Sequence, residues 1–199
     1  MIKTLLIDGN NLFKIGYHGV KDFYHEGKHV GGIWHFLNTI RKFIEEHNFN
    51  KVVVVWDGKD NYSVRKLFYP QYKENRRIYR NFNEESYNEQ LNRVKQYLEE
   101  TFIRQIDVEK NEADDLISYY CQISKDENKI IFSDDKDLTQ LISENVSIYS
   151  PSFKRIFKYG DTIKIGDLEI PHHNEIGRAH VWTPVTPISR MPSSAWKKK

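Results

Sequence analysis

The feature that most constrains the fold is a regular alternation of short apolar runs with amphipathic stretches. Four apolar runs have the length and composition of buried strands: Lys3–Ile7, Lys51–Trp56, Lys129–Phe132 and Val146–Tyr149. Between them, Gly31–Glu46 and Glu112–Ile123 carry apolar residues at helical spacing. Strands that alternate with helices are typical of a mostly parallel sheet with helices on both faces. The sequence therefore predicts an α/β fold of this kind.

Three further segments extend this pattern. Glu84–Thr101 is predicted to be a polar helix, Phe102–Val108 a strand, and Phe153–Lys164 a hairpin. The turn that begins at Asp8 is able to cap a helix. We expect residues 1–174 to form one domain, since a chain of 199 residues is long enough to bury a hydrophobic core.

Acidic residues follow the predicted strands or open a predicted helix. The residues with this placement are Asp8, Asp57, Glu112, Asp114, Asp115, Asp135 and Asp137. A single acidic residue after a strand is usually a cap or a turn residue. Three strands that all end in this way favour a shared site, because ligands of such sheets lie beyond the carboxyl ends of the strands.

Clustered carboxylates point to a bound cation. Several carboxylates do not all stay ionised within a few ångströms of one another without a compensating charge. Mg²⁺ and Mn²⁺ prefer carboxylate oxygens and need neither Cys nor His. Two such ions about 4 Å apart activate a water and stabilise the leaving oxygen in phosphodiester hydrolysis. The acidic residues therefore predict metal-dependent phosphate chemistry.

Five motifs resemble those of the 5′–3′ exonuclease and flap endonuclease family, which includes phage exonucleases and the 5′-nuclease domain of bacterial DNA polymerase I. Two are Leu-Ile-Asp-Gly-Asn-Asn around Asp8 and Val-Trp-Asp-Gly around Asp57. Two more are the E-A-D-D helix start at 112–115 and the S-x-D-K-D-L strand end at 133–138. The fifth is R-x-x-x-Y-P-x-Y-K-x-x-R, which begins at Arg65. The resemblance covers about residues 2–174 in the family's order.

The resemblance implies a PIN-like, resolvase-like domain with a helical arch at about residues 60–82. It implies hydrolysis of DNA, or of RNA–DNA hybrids, during replication or repair, with two Mg²⁺ or Mn²⁺ ions. Asp57, Glu112, Asp114 and Asp135 would hold the first ion, with Asp8 acting through water. Asp137 would belong to the second ion, and Asp115 would support the cluster. The catalytic residues implied are Lys73, Asp8, Asp57 and Asp135, with Lys73 on the scissile phosphate.

The predicted arch combines basic and aromatic side chains. The basic residues Arg65, Lys73, Arg76 and Arg77 are interleaved with aromatic residues, among them Tyr72. A charge run is ordinarily a solvated helix face, but this combination suits a single-strand channel. By the resemblance, a DNA 5′ end passes through the arch, Tyr72 stacks on a base and Arg76 clamps a phosphate. Gly31 and Gly32 either admit a phosphate at a helix N-terminus or form a plain helix start.

Residues 175–199 differ in texture from the rest of the chain. Ile176–Val181 back-translates to ATC GGA AGA GCA CAC GTC, which matches a widely used short-read sequencing adapter. The match continues through Trp182–Thr186 and Ser189–Trp196 when TGA is read as tryptophan. We expect this segment to be disordered, non-native sequence. It carries five basic residues and one acidic residue, so residues 1–174 have a net charge of −2.

Other features restrict the partners and the compartment. The single Cys121 excludes an internal disulfide and argues against a Cys-rich zinc site, which favours the cytoplasm. No apolar run approaches the roughly 20 residues that cross a bilayer. We expect a monomer whose partner is DNA with a 5′ flap or a free 5′ end, with an RNA–DNA hybrid as a further substrate.

Three other functions compete with this interpretation. A phosphatase with Asp8 as nucleophile would need a second acid at position 10, which is Asn10. A PIN-like ribonuclease would share the acidic residues but usually lacks a basic, aromatic arch. A non-catalytic nucleic-acid-binding fragment is the third. The family's G-D-x-x-D-N motif, which completes the second metal site, does not occur here. We therefore expect the chain to be weakly active or inactive, although its gene encodes an active enzyme.

Overall fold

The computed structural model describes residues 3–72 and 83–165, with only the backbone of 162–165, and the backbone of residues 168–171. Its α-helices are α1 (Gly9–Gly19), α2 (Gly31–His47), α3 (Ser63–Phe68), α4 (Glu84–Glu99) and α5 (Ala113–Ile123). A 3₁₀ helix spans Lys136–Leu141. The strands are β1 (Lys3–Asp8), β2 (Tyr24–His25), β3 (Lys28–His29), β4 (Lys51–Val55), β5 (Arg104–Ile106), β6 (Asn128–Phe132), β7 (Val146–Ser150), β8 (Arg155–Phe157), β9 (Thr162–Ile165) and β10 (Leu168–Pro171).

Six of these strands form one mostly parallel sheet. Their order is β5-β4-β1-β6-β7-β8, and only β8 runs antiparallel to its neighbour. Ile7 of β1 lies opposite Val54 of β4 and Phe132 of β6, so these three strands end at the same edge. The sheet confirms the predicted architecture. It also brings the residues that follow β1, β4 and β6 to one edge.

Hydrophobic side chains fill both faces of the sheet. Leu5 and Ile7 belong to a core cluster with residues of α1, α2 and α4, including Phe13 and Phe36. Leu6 points to the opposite face, where it belongs to a second cluster with Ile117 of α5. Successive side chains of a strand alternate between the two faces, and each face of this sheet is covered by helix. The predicted helices on both faces are therefore confirmed.

One sequence prediction about secondary structure is wrong. Phe153–Lys164 does not form a hairpin, because its two strands pair with different partners. Arg155–Phe157 pairs with β7, and Thr162–Ile165 pairs with Leu168–Pro171. The physical reason is that the backbone groups of each short strand find partners in a neighbouring strand outside the predicted hairpin, which a residue pattern does not reveal.

Two predicted segments fall partly or wholly outside the described residues. Of the predicted arch, the structure describes residues 60–72, which include α3, and not residues 73–82. The predicted non-native tail, 175–199, lies entirely outside the described residues. In the described ranges, no helix has both the length and the apolar character required to cross a membrane.

Candidate metal centre

Asp8 ends β1 and begins the site. It is buried, and its Oδ1 caps α1 by accepting a hydrogen bond from the backbone N–H of Asn11 at 3.1 Å. Its Oδ2 accepts a hydrogen bond from the Ser133 hydroxyl at 3.0 Å. Burial raises the pKa of Asp8 to about 7, and the charges of Asp57 and Asp135 contribute to this rise, whereas the two hydrogen bonds act against it. A cation beside Asp8 would favour its ionised form.

The side chains of Asn10 and Asn11 connect the ends of three strands. Asn10 Oδ1 accepts a hydrogen bond from the backbone N–H of Asp57 at 2.8 Å, after β4. Asn11 Oδ1 accepts one from the backbone N–H of Asp134 at 3.2 Å, after β6. The sequence predicted a capping turn here, but not these contacts across the sheet. They hold the acidic strand ends together.

Asp57 links the end of β4 to the start of α5. Its Oδ1 accepts a hydrogen bond from the backbone N–H of Ala113 at 2.9 Å. Ala113 is the first residue of α5 and follows Glu112 directly. This bond satisfies one of the N–H groups that have no partner within the helix. It also places the acidic start of α5 beside the end of β4.

The acidic start of α5 is a compact group of carboxylates. Glu112, Asp114 and Asp115 each offer an oxygen, and these oxygens lie within 4.8 Å of one another. Glu112 is buried, and in the described part of the chain Asp114 Oδ1 is a buried atom that has no hydrogen-bond partner. An all-oxygen donor set with one oxygen not hydrogen-bonded fits a hard divalent cation such as Mg²⁺ or Mn²⁺. We refer to these three residues as the α5 cluster.

Arg65 and Tyr72 lie against the α5 cluster. Arg65 forms ion pairs with Glu112, with Asp115 at 2.9 Å and with Asp114 Oδ1 at 3.5 Å. Tyr72 is buried, and its hydroxyl donates a hydrogen bond to Glu112 Oε2 at 2.9 Å and accepts one from Arg65. Both residues were predicted to contact DNA. In this structure they contact the carboxylates, and their contact with DNA stays a prediction.

Asp135 and Asp137 lie after β6. Asp135 caps the 3₁₀ helix, since its Oδ1 accepts a hydrogen bond from the backbone N–H of Asp137 at 2.9 Å. The backbone N–H of Asp135 donates to the hydroxyl of Ser133 at 3.0 Å. Ser133 therefore connects Asp135 to Asp8, a role that the sequence did not predict beyond the presence of Ser133 in the motif. Asp134 differs from Asp135, because its carboxylate binds Ser150 and Ser152.

The structure brings together part of the predicted ligand set. Among the described residues, the oxygens within 4.8 Å of one another come from the α5 cluster, and this group does not include Asp8, Asp57, Asp135 or Asp137. Asp57 touches the first residue of α5, and Asp8 is influenced by the charges of Asp57 and Asp135. The predicted first-ion set of Asp57, Glu112, Asp114 and Asp135 thus lies at one edge without forming one compact group.

Comparison with known families identifies the domain. A sequence model described as the 5′-3′ exonuclease, N-terminal resolvase-like domain matches residues 3–166 of the chain. The chain belongs to the 5′-3′ exonuclease family. Its α/β fold is therefore the resolvase-like, PIN-like fold predicted from the sequence.

Two curated relatives and one solved structure illustrate the similarity. A 5′-3′ exonuclease of Halalkalibacterium halodurans is 34% identical over 156 residues, which are 72% of this chain and 50% of the relative. Flap endonuclease Xni of Shewanella loihica is 32% identical over 152 residues, which are 75% of this chain and 56% of the relative. The chain therefore spans about half the length of these curated relatives.

The solved structure is the bacteriophage T5 D15 flap endonuclease in a pseudo-enzyme–product complex with DNA and metal ions. Its fold matches with a TM-score of 0.63 and 22% sequence identity, covering 80% of this chain and 58% of that chain. At this identity the match establishes the shared fold.

In this 5′-3′ exonuclease domain, Gly31 and Gly32 begin α2 in a crowded environment. A Cβ atom at Gly32 would lie 2.9 Å from the ring of Phe13, and one at Gly31 would meet the carbonyl oxygen of Val20. The backbone N–H of Gly32 donates to Gln90 Oε1 at 3.0 Å. These contacts explain both glycines by close packing. A phosphate contact at the start of α2 stays a prediction.

Three residues predicted to contact DNA in this exonuclease domain are Lys73, Arg76 and Arg77. They lie outside the described residues. The described base of the predicted arch ends at Tyr72, beside the α5 cluster. The predicted roles of these three residues therefore remain predictions.

Proposed function

We propose that this chain is the catalytic part of a metal-dependent 5′–3′ exonuclease or flap endonuclease that hydrolyses DNA phosphodiester bonds during replication or repair. The observation that carries the proposal is the α5 cluster, where three carboxylate oxygens lie within 4.8 Å of one another and Asp114 Oδ1 is not hydrogen-bonded. The names of the relatives support it, since they are a 5′-3′ exonuclease and flap endonucleases.

The carboxylates at this edge would hold the metal ions. Glu112, Asp114 and Asp115 offer the compact donor set, and Asp57 and Asp135, which follow β4 and β6, complete the predicted set. Two Mg²⁺ or Mn²⁺ ions bound here would supply an activated water and stabilise the leaving oxygen. Metal ions in the T5 structure support a metal requirement, and the choice of Mg²⁺ is part of the proposal.

The chain's own residues would position the ions and the substrate. Ser133 hydrogen-bonds to the Asp8 carboxylate and to the backbone of Asp135, so it fixes the position of each relative to the other. Asn10 hydrogen-bonds to the backbone of Asp57 and fixes Asp57 relative to the start of α1. The fixed geometry lowers the cost of ordering the carboxylates when an ion binds. Arg65 and Tyr72 lie at the start of the predicted arch, beside the α5 cluster. A DNA phosphate and a nucleobase that reach the cluster would therefore lie close to these two side chains. Lys73, Arg76 and Arg77 would bind the phosphate backbone of the DNA further along the predicted arch.

The substrate proposed is DNA with a 5′ flap or a free 5′ end, with RNA–DNA hybrids as a second substrate. The T5 flap endonuclease in complex with DNA supports a DNA partner. We further propose that the protein acts as a cytoplasmic monomer, that its catalytic domain occupies residues 1–174 and that residues 175–199 are not native. We expect slow cleavage, since the sequence holds no G-D-x-x-D-N motif.

The test is cleavage of a 5′-labelled flap DNA in the presence of Mn²⁺. We expect slow, Mn²⁺-dependent cleavage that Asp135→Ala lowers by about a hundredfold or more, since loss of a positioned charge in a catalytic site costs this much. Asp126→Ala is the matched control, because Asp126 is an exposed carboxylate before β6, at the other end of that strand. It should cleave like the unchanged protein.

Two outcomes would count against the proposal. Cleavage that persists in Asp135→Ala, or in the presence of EDTA, would show that the carboxylates are not its source. Faster cleavage of single-stranded RNA than of the flap DNA would favour the PIN-like ribonuclease.

A further inference from the structure

A guanidinium group already compensates the charge of the α5 cluster. The Arg65 side chain is 12% exposed and forms ion pairs with all three carboxylates of the cluster. Three carboxylates this close repel one another, and a cation among them stabilises their ionised forms. In the ion-free protein, Arg65 is therefore a counter-charge to the residues that would bind the metal.

The same contacts attach α3 to the rest of the domain. No residue of α3 is buried, and Leu67 and Phe68 of this helix are 80% and 52% exposed. A helix of six residues is not stable by itself in water. Arg65, with its ion pairs, and Tyr72, with its hydrogen bond to Glu112, are thus the main described anchors of residues 63–72. Loss of these contacts would loosen the base of the predicted arch.

A divalent ion and Arg65 require the same oxygens. An ion bound by Glu112, Asp114 and Asp115 would stand within a few ångströms of the guanidinium, and two cations at that distance repel strongly in a partly buried site. We propose that Arg65 is a built-in competitor of the metal, and that metal binding to the α5 cluster displaces Arg65 and releases residues 63–72. This inference rests on the metal site of the proposed function.

The displacement would couple metal binding to the arch. A released guanidinium presents a planar set of donors that matches a phosphate group. A substrate phosphate that holds Arg65 away from the carboxylates would in turn favour metal binding, because coupling between two ligands is reciprocal. Arg65 would then contact the carboxylates in the metal-free protein and a substrate phosphate in the metal-bound protein.

The first test is a calorimetric titration of the full chain with Mn²⁺. Arg65→Gln removes the competing charge, so it should bind Mn²⁺ about tenfold more tightly or better, and its melting temperature in EDTA should fall. Arg65→Lys keeps a charge but lacks the planar fork, so its affinity should be intermediate. Arg41→Gln is the control, since Arg41 forms an exposed ion pair with Glu45 on α2, and it should bind Mn²⁺ like the unchanged protein.

The outcomes separate this inference from the proposed function. Equal or weaker Mn²⁺ binding by Arg65→Gln would overturn the inference, because Arg65 would then support the site rather than compete for it. If the unchanged protein and both Arg65 variants bind no Mn²⁺, the metal site of the proposed function fails as well. Mn²⁺ binding by the unchanged protein that Asp114→Asn weakens shows that the site exists, whatever the Arg65 variants do.

The second test needs no variant and so does not depend on folding of Arg65→Gln. Hydrogen exchange of the unchanged chain is measured with EDTA and with saturating Mn²⁺. We expect faster exchange of the amides in residues 63–72 and slower exchange in the first turn of α5 when Mn²⁺ is bound. Unchanged or slower exchange in residues 63–72, with Mn²⁺ bound, would overturn the displacement.

Discussion

Ser133 shows what individual residues contribute at the edge of the sheet. It donates a hydrogen bond to Asp8 and accepts one from the backbone of Asp135, so one small side chain sets the relation between two acidic residues. Ser133 and Asp8 are 125 positions apart in the chain. The positions of Asp8 and Asp135 could be predicted because each follows an apolar run. Their partners could not, since a pattern of residues along the chain does not show which side chains meet across strands.

Arg65 is a second residue whose partner a sequence pattern does not show. Its place in a basic, aromatic run favours a phosphate contact. The structure places it on the α5 cluster, because a helix that is separate in sequence folds against the acidic start of α5. Sequence alone gives the sign of a charge but not the partner that lies closest to it.

The buried carboxyl group of Asp8 predicts a pH-dependent stability. Burial raises its pKa to about 7 in the folded protein, above the ordinary 3.8, so the folded state binds this proton more tightly than the unfolded state. The resulting stabilisation is complete below about pH 3.8 and is lost as the pH rises to about 7. Asp8→Asn removes this titrating group. In EDTA, its free energy of unfolding should therefore rise relative to that of the unchanged protein as the pH rises, by at most about 4 kcal/mol at pH 8.

Urea unfolding of both proteins in EDTA between pH 5 and pH 8 measures this difference. Asn retains the size of Asp and an oxygen that accepts the hydrogen bond from Asn11, so the cap of α1 is kept. A stability difference that stays constant over this range would contradict the raised pKa. A difference that shrinks as the pH rises would have the wrong sign.

At the scale of elements, length decides how well the sequence predicts structure. The long helices α2 and α4 and the buried strands β1, β4 and β6 agree with their predicted bounds to within about two residues. The two-residue strands β2 and β3 and the short helix α3 contain too few residues for a periodic pattern. The wrong hairpin at Phe153–Lys164 has a different cause, since edge pairing depends on which strand of the sheet lacks a partner.

The start of α2 yields a prediction about packing between elements. Gly32→Ala would place a Cβ atom 2.9 Å from the Phe13 ring and 3.0 Å from Gln90 Oε1. The aromatic ring and the hydrogen-bonded side chain would have to shift, so we expect a loss of about 1–3 kcal/mol in the free energy of unfolding. Urea unfolding measures this loss.

Gly19→Ala is the matched control for Gly32→Ala. Gly19 ends α1, is exposed, and has open space where its Cβ atom would lie. It should lose no stability. Equal stability of Gly32→Ala and the unchanged protein would mean that the start of α2 is not closely packed, and a phosphate site there would regain support.

At the scale of the whole molecule, the two ends of the sheet differ. At the amino end, the Glu127 carboxylate accepts hydrogen bonds from Thr4 at 2.7 Å, Lys51 at 2.5 Å and Tyr120 at 3.1 Å. Burial acts to raise the pKa of Glu127, but these bonds outweigh it and hold the pKa below its ordinary value. This end is an internally satisfied polar network, which suits a structural role.

The carboxyl end has the opposite character. It gathers acidic residues from the ends of β1, β4 and β6 and from the start of α5, with one oxygen of Asp114 not hydrogen-bonded. The sequence predicted this end of the sheet as the site because acidic residues follow three apolar runs and ligands of parallel sheets lie beyond the carboxyl ends of the strands. It did not predict that the described carboxylates would cluster most closely on α5, around Arg65.

The proposed function depends most directly on Mn²⁺ binding to the α5 cluster. Calorimetry on the unchanged chain, Asp114→Asn and Asp126→Asn compares the cluster with an exposed carboxylate outside it. We predict that the unchanged chain and Asp126→Asn bind Mn²⁺ equally, and that Asp114→Asn binds about tenfold more weakly or worse, which is a loss of about 1.4 kcal/mol or more. Absence of Mn²⁺ binding by the unchanged chain, or equal affinity in all three proteins, would mean that the α5 cluster is not a metal site.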